Sequence, residues 1–302
     1  MEYSKNHIAG IIPIAGSSLN FGFDWHDCMM PIGNNYLALE RSALECAYAG
    51  CSSIWVVSTD NILPLVRNRM KDFILDPVYQ DHRFSSRKYY LNNIKNYRNI
   101  PIFYISIPPR SFDKFDSLPY SIVYGAKFAL TITDKISQWV KPDSFYVSFP
   151  MGTYEPVFAR PVRKQLIKNI PVILQHDNKT VRDNEYLGFT FFPQDIPQFT
   201  DIIKAGVRKT FRNENGELTL LPKEERFEAA RYSLDKVFGN YNPPNAYIRN
   251  VRWYYNISDW KNYRLFLGSA QNLYLNQRRP NFIKARHISD FKFCEEEENG
   301  NV

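Results

Sequence analysis

Between Ile8 and Thr59 the chain runs an apolar stretch, a turn of small residues, a helix-patterned stretch, a glycine and a second apolar stretch, and that order leaves few folds open. Ile8 to Ile14 is short, rich in isoleucine and ends where small residues begin, which predicts a buried strand. The turn that follows, Ala15-Gly16-Ser17-Ser18-Leu19-Asn20-Phe21-Gly22, frees the backbone to curve and offers amide and hydroxyl donors, the arrangement that lets a chain hold phosphate oxygens. Pro31-Ile32-Gly33 leads into a helical pattern from Asn35 to Ala49, with Leu37, Leu44 and Ala47 or Tyr48 on one side, and Gly50 stops it. Ile54 to Ser58 is the second strand. Strand, loop, helix and strand make a βαβ unit, and ligands bind at the carboxyl ends of such strands.

The stretch IIPIAGSSLNFGFDWHDCMMPIGNNYLALERSALECAYAGCSSIWVVSTD resembles the opening of the nucleotidyltransferase-like superfamily, the fold shared by sugar-phosphate nucleotidyltransferases and type-A glycosyltransferases. That family opens with a strand, an AGxGTR-like loop, a PKxxLPxxG segment, a helix and a strand ending near AGxxIxVV. The resemblance implies an α/β fold: a single Rossmann-like three-layer α/β/α domain with a mixed, mostly parallel sheet over residues 1–270. It also implies a nucleotide or nucleotide-sugar as substrate, with Ala15, Gly16, Ser17, Ser18 and Asn20 around its phosphates. Asp116, Ser117 and Ser121 stand where a loop and helix start touch the base or ribose.

Four family positions are altered. Asn20 or a close neighbour replaces the arginine of the nucleotide loop, and Asp27 replaces the lysine four residues before the proline. At the end of a fourth strand, Asp143 to Phe149, the family presents an aspartate for a divalent metal, Mg or Mn; here the chain reads Pro150-Met151-Gly152-Thr153-Tyr154-Glu155, leaving Glu155 as the one candidate ligand. Asn256 replaces a late aspartate. Loss of both cations removes groups that neutralise a pyrophosphate leaving group.

The densest polar constellation follows the loop directly. Asp24, His26 and Asp27 are the candidate catalytic residues, because a histidine between two carboxylates can be raised in pKa and act as acid, base or phosphate partner. Trp25 offers a stacking face. His176 with Asp177 and Asp183 forms a second, weaker group, more in keeping with turn chemistry. Arg160, Arg163, Lys179 and Arg182 are candidates to clamp a diphosphate or meet an acceptor in place of a metal. No Ser-His-Asp signature, HExxH, P-loop lysine or GxGxxG occurs, which sets hydrolase, kinase and dehydrogenase readings behind.

Further along, a helix is expected from about Leu63 to Leu75, a strand from Ile100 to Ile107, and a helix starting near Pro119, capped by Ser117 and running past Ala129. Strands are expected at Pro171 to Gln175, Leu187 to Phe192 and Ala246 to Ile257. Helices are expected within Pro193 to Ala205, over Glu224 to Phe238, and over Asp259 to Leu267 with Ser258 as its cap. The tail, 271–302, is basic and aromatic and then acidic.

The net charge of +7 favours anionic partners. Arg83 to Arg98 interleaves cations with Phe84, Tyr89, Tyr90 and Tyr97, a composition suited to stacking bases and meeting phosphates, so nucleic acid is a candidate partner. Four irregularly spaced cysteines do not make a disulfide framework or zinc knuckle. No apolar run approaches the ~18 residues that span a bilayer, and the N-terminus lacks a signal-type apolar region, so a soluble cytoplasmic protein without membrane partners is expected. Three functions fit: nucleotidyl transfer to a sugar phosphate, glycosyl transfer from a nucleotide-sugar with nucleic acid among the acceptors, or a non-catalytic nucleotide- or nucleic-acid-binding module.

Overall fold

The computed structural model describes residues 6–15, 26–78, 98–108, 117–136, 141–205, 210–212, 216–220 and 233–277. The strand, helix and second strand of the opening unit form in the expected order, with the helix starting at Ala38 rather than Asn35. β1 (Ile8–Pro13) is buried along its whole length, β2 (Pro31–Gly33) and β3 (Tyr36–Leu37) make a small ribbon, and α1 (Ala38–Ala49) leads into β4 (Ser53–Ser58). Gly50 ends α1 with φ +91°, a left-handed conformation, and its amide bonds the last turn. α1 differs from the one-sided helix its pattern suggests: eleven of its twelve residues are buried. It is covered on one side by the sheet and on the other by the chain from Pro156 to Ile167.

After α2 (Leu63–Met70) the expected helix is cut short. Lys71 takes φ +62°, and Phe73–Leu75 forms β5, an edge strand antiparallel to β6 (Asn99–Ser106). Next come α3 (Leu118–Ile136) and β7 (Ser144–Val147), then the two-residue β8 (Gly152–Thr153) and α4 (Val162–Ile167). β9 (Val172–Gln175), β10 (Phe189–Phe191) and α5 (Ile196–Ala205) follow, and then a hairpin of β11 (Thr210–Arg212) and β12 (Leu218–Leu220).

Of the helix expected over Glu224 to Phe238, residues 221–232 lie outside the described residues and α6 (Leu234–Phe238) forms its end. The expected strand Ala246 to Ile257 is broken into β13 (Tyr247–Asn250) and β14 (Tyr255–Asn256), which join different sheets. α7 (Trp260–Leu267) is capped by Asp259, whose carboxylate accepts from Asn262 N at 2.9 Å. Ser258, the expected cap, instead donates to Asn256 Oδ1. The helix starts at Trp260, one residue later than expected, so Asp259 and not Ser258 occupies the cap position. α8 (Ala270–Gln277) packs on β2, with Asn272 Nδ2 donating to Ile32 O at 2.7 Å.

The main sheet has the order β13-β9-β10-β7-β1-β4-β6-β5. Six strands run one way, and β10 and β5 are reversed. This is an α/β fold with a mixed, mostly parallel sheet. Separate apolar cores lie on its two faces: α1 and Tyr154 belong to one, and α3, α5 and α6 to the other. A third, smaller core joins β2, α7 and α8. Cys28, Cys46 and Cys51 are buried. Among the described residues no helix is long and apolar enough to cross a membrane.

Candidate functional site

Strand order reverses at β1. The chain lays β4 and β6 on one side of it and then returns to lay β7 on the other. The crevice outside the carboxyl ends of β1 and β7 is therefore a topological switch point, where open α/β sheets hold their ligands. Ala15 leaves β1 at this edge, its amide donating to Val57 O at 3.1 Å. Its carbonyl accepts the buried hydroxyl of Ser121 at 2.7 Å. Ser117, at the start of α3, caps it by accepting from Tyr120 N at 3.3 Å. Three candidate residues, Ala15, Ser117 and Ser121, thus meet at the mouth of the first strand–helix loop. Ser117 and Ser121 are buried and their hydroxyls bond backbone there. Gly16, Ser17, Ser18, Asn20, Asp24, Trp25 and Asp116 lie outside the described residues, as do Arg83 to Tyr97 and the tail from Arg278.

His26 re-enters the described chain just before the short 3-10 turn Asp27–Met29, of which only the backbone of Asp27 is described. Burial lowers the pKa of the imidazole, which corrects the expectation that flanking carboxylates raise it. Its Nδ1 faces Cys28 N at 3.4 Å as an acceptor, in keeping with a neutral ring.

At the carboxyl end of β7 the register brings together the two segments where the family resemblance places acidic residues. β8 and β14 pair antiparallel, with Gly152 opposite Asn256. The donor set does not fit a divalent metal. Phe149 is fully buried, its ring against Tyr186 and Phe189. Asn256 Oδ1 is taken by Ser258 N and Oγ. Glu155 accepts from Tyr274 OH at 3.2 Å, in a small cleft beside α1 and α8. Among the described residues no group of three histidine, cysteine or acidic side chains could hold a metal ion.

The four candidate cations disperse. Arg163 lies against Gly50 and binds Asp76 through both nitrogens, at 3.0 and 2.8 Å. Gly50 precedes β4 and Asp76 faces the start of β6, so this pair sits at the amino-terminal edge, opposite the switch point. Arg163 is thereby engaged away from any ligand in the crevice, which corrects its assignment as a diphosphate clamp. Arg182 reaches Asn242 Oδ1 at 3.2 Å, on the loop that enters β13 from that same opposite edge. Arg160 follows the turn Pro156–Ala159.

Lys179 stays at the carboxyl edge, largely exposed and 3.9 Å from Glu185. It closes a tight turn with His176 in which Asp177 and Asn178 both take positive φ, the turn chemistry foreseen for HDN. His176 Nε2 lies 3.5 Å from Asp177, while Asp183 accepts from Thr180 N at 2.9 Å and belongs to a cap. Tyr254, beside the His176 ring, donates to Glu185 at 3.0 Å.

Sequence reasoning overlooked a buried ionic cluster directly under β7. Glu45 on α1 accepts from Tyr146 OH and Ser148 Oγ at 2.5 Å, from Tyr154 OH, and from Arg41 Nη1 at 2.9 Å. Arg41 Nη2 also donates to Phe149 O, and its guanidinium lies over the Tyr154 ring. Burial opposes charge on Arg41, yet Glu45 beside it holds its pKa above the ordinary value. Burial, then Glu45, push Tyr146 and Tyr154 well up. The signal was an arginine and a glutamate four apart in a helix whose other residues, Glu40 aside, are small or apolar.

Among solved structures, the fold is similar to that of a protein from Bacillus anthracis assigned as a glucose-1-phosphate thymidylyltransferase and crystallised in complex with a sucrose: TM-score 0.51, 8% identity, covering 86% of this chain and 94% of that one. UDP-glucose pyrophosphorylase, complexed with UDP-glucose or apo, aligns at TM-score 0.48 and 11% identity over 90% of this chain and 100% or 99% of those. No family model matches the sequence, and no curated protein matches it. The likeness is one of fold.

Proposed function

We propose that the chain is a sugar-phosphate nucleotidyltransferase-like transferase with an altered active site, binding a nucleotide or nucleotide-sugar at the first strand–helix loop. The observation that carries this reading is the switch point itself, where Ala15 is tied to Ser121 at the mouth of a loop of small, donor-bearing residues. On this reading Gly16, Ser17, Ser18 and Asn20 hold phosphate oxygens through amides and hydroxyls, and Trp25 stacks on the base. Asp24, His26 and Asp27 flank the reacting groups. His26, neutral at pH 7, serves as a hydrogen-bond partner or base rather than as a cation. No step is routed through a metal, and a basic, cytoplasmic protein would meet such anions readily.

Incubation with nucleoside triphosphates and sugar 1-phosphates, followed by pyrophosphate release, tests the proposal. Release above background, lost in His26→Ala, supports it; a flat response across all four bases and a broad sugar panel sets it aside. Glycosyl transfer from a nucleotide-sugar is the second reading, and His176 with Asp177 at the same edge favours it by supplying an acid–base pair on the acceptor side. Nucleotide release from labelled nucleotide-sugars in the presence of DNA or glycan separates the two. Ligand-induced stabilisation with no turnover would leave a binding module.

A further inference from the structure

A cleft of about 660 Å³ opens at the amino-terminal edge of the sheet, on the opposite side from the switch point. It is bounded by the residues preceding β7 and β9, by the end of β10 with the turn into α5, and by the loop from Asn240 to Pro244. Its volume falls within the roughly 300–1,000 Å³ of small-molecule sites. Among the described residues the lining contains no lysine, arginine or histidine, although the chain carries a net charge of +7. Two carboxylates and five carboxamides supply its polar groups, and Phe192 and three prolines supply flat apolar surface.

The polar groups are preset. Asp143 accepts His7 N through Oδ2 at 2.7 Å. Asp195 Oδ2 accepts Phe192 N at 2.8 Å and Tyr241 OH at 3.1 Å. Asn169, held in the left-handed conformation at φ +54°, accepts Asn6 Nδ2 at 3.1 Å, and Asn242 accepts Arg182 at 3.2 Å. In each case one end of a planar side chain is fixed by the protein. Among the described residues, the other carboxylate oxygen of each aspartate and the amide nitrogens of Asn169 and Asn242 have no such bond. Acceptors and donors whose directions are fixed beforehand bind a ligand with less ordering cost.

We propose that this cleft binds a neutral saccharide. Paired hydroxyls on adjacent carbons both donate and accept, which matches carboxylates set beside carboxamide NH₂ groups. The apolar face of a sugar ring suits the prolines and Phe192. Phosphorylated or carboxylated ligands would face two carboxylates, while the nearby Arg182 is already engaged by Asn242, so a nucleotide is disfavoured here. The site is separate from the one proposed for nucleotide, and its failure would leave that reading untouched.

Saturation-transfer NMR and titration calorimetry on the full chain with glucose, galactose, maltose and cellobiose test it, with glucose 1-phosphate and glucuronate as charged counterparts. Dissociation constants in the millimolar range or tighter are expected for at least one neutral sugar, with at least tenfold weaker binding of the charged ones. Gln198→Trp and, separately, Asn240→Trp place a bulky side chain at exposed lining positions and abolish the signal, while stabilisation by nucleoside triphosphate is unchanged. The proposal is overturned if none of the four sugars binds, if binding survives both tryptophan variants, if charged and neutral sugars bind alike, or if nucleotide competes with the sugar.

Discussion

Arg41, in the first half of α1, donates from Nη2 to the backbone carbonyl of Phe149 at 2.6 Å, joining the first helix to the carboxyl end of β7 across 108 residues of sequence. Its other nitrogen is neutralised by Glu45, and both side chains are wholly excluded from solvent. Removing one partner of such a pair strands a buried charge, at a cost of about 3–5 kcal/mol. Glu45→Ala is therefore expected to lower the urea midpoint by that equivalent, and Arg41→Met combined with Glu45→Ala to recover part of the loss.

Arg163→Ala separates architecture from ligand binding. Asp76 is buried, and without Arg163 it loses a two-pronged charged partner, while Arg98, 3.5 Å away, is partly exposed. A loss of about 3 kcal/mol is expected in denaturant unfolding. The affinity for nucleoside triphosphate, read by thermal shift, should be unchanged; a fall of tenfold or more would return Arg163 to the ligand site.

Ser121→Ala tests the mouth of the loop. The buried Ala15 carbonyl loses its hydroxyl donor, which costs about 1–3 kcal/mol of stability. Because Ala15 starts the proposed phosphate loop, nucleotide affinity should fall about tenfold as well, or ~1.4 kcal/mol. Ser121→Thr, which keeps the hydroxyl, should restore most of both.

Gly152→Ala is expected to be among the most damaging single-methyl additions. A Cβ there would lie 1.8 Å from the carbonyl oxygen of Tyr186, a backbone atom that cannot rotate aside. Overpacking costs about 1–3 kcal/mol or more, and here the upper end applies. Thermal unfolding of the variant checks it.

His26 sets a pH dependence. Its pKa in the folded chain is below the ordinary 6.5 because burial disfavours the charged ring. Below 6.5 the unfolded chain therefore binds the proton first, so stability is fully present above that value and is lost as pH falls towards the depressed pKa. His26→Gln should flatten the urea midpoint between pH 7 and 5, and an unchanged slope would count against burial as the cause.

The strands and helices whose burial follows their own period were legible: β1, β4, β6 and α3 lie within a residue or two of their expected bounds. Breaks set by a single backbone conformation were not. Lys71 turning to φ +62° splits an amphipathic run into α2 and β5, and nothing in LVRNRMKDFIL marks that residue. The candidate cations misled for a related reason. Arg163 and Arg182 look like surface charge in the sequence, and only the fold reveals that each is pinned by an acid or amide away from the crevice. Arg41 and Glu45 were missed because an i, i+4 ion pair usually marks a solvated helix face. The resemblance set Asn256 in the place of a late aspartate, and the β8–β14 register shows that it faces Gly152, just past β7.

β10 holds the two parallel blocks of the sheet together with very little ladder: three paired positions with β7 and one with β9. Much of the seam is phenyl against phenyl, with Phe189 and Phe191 against Phe145, Phe149, Phe199 and Phe238. Rings can slide over one another where a backbone ladder must break. The β9–β13 block is thus held to the rest of the main sheet more by ring packing than by backbone pairing.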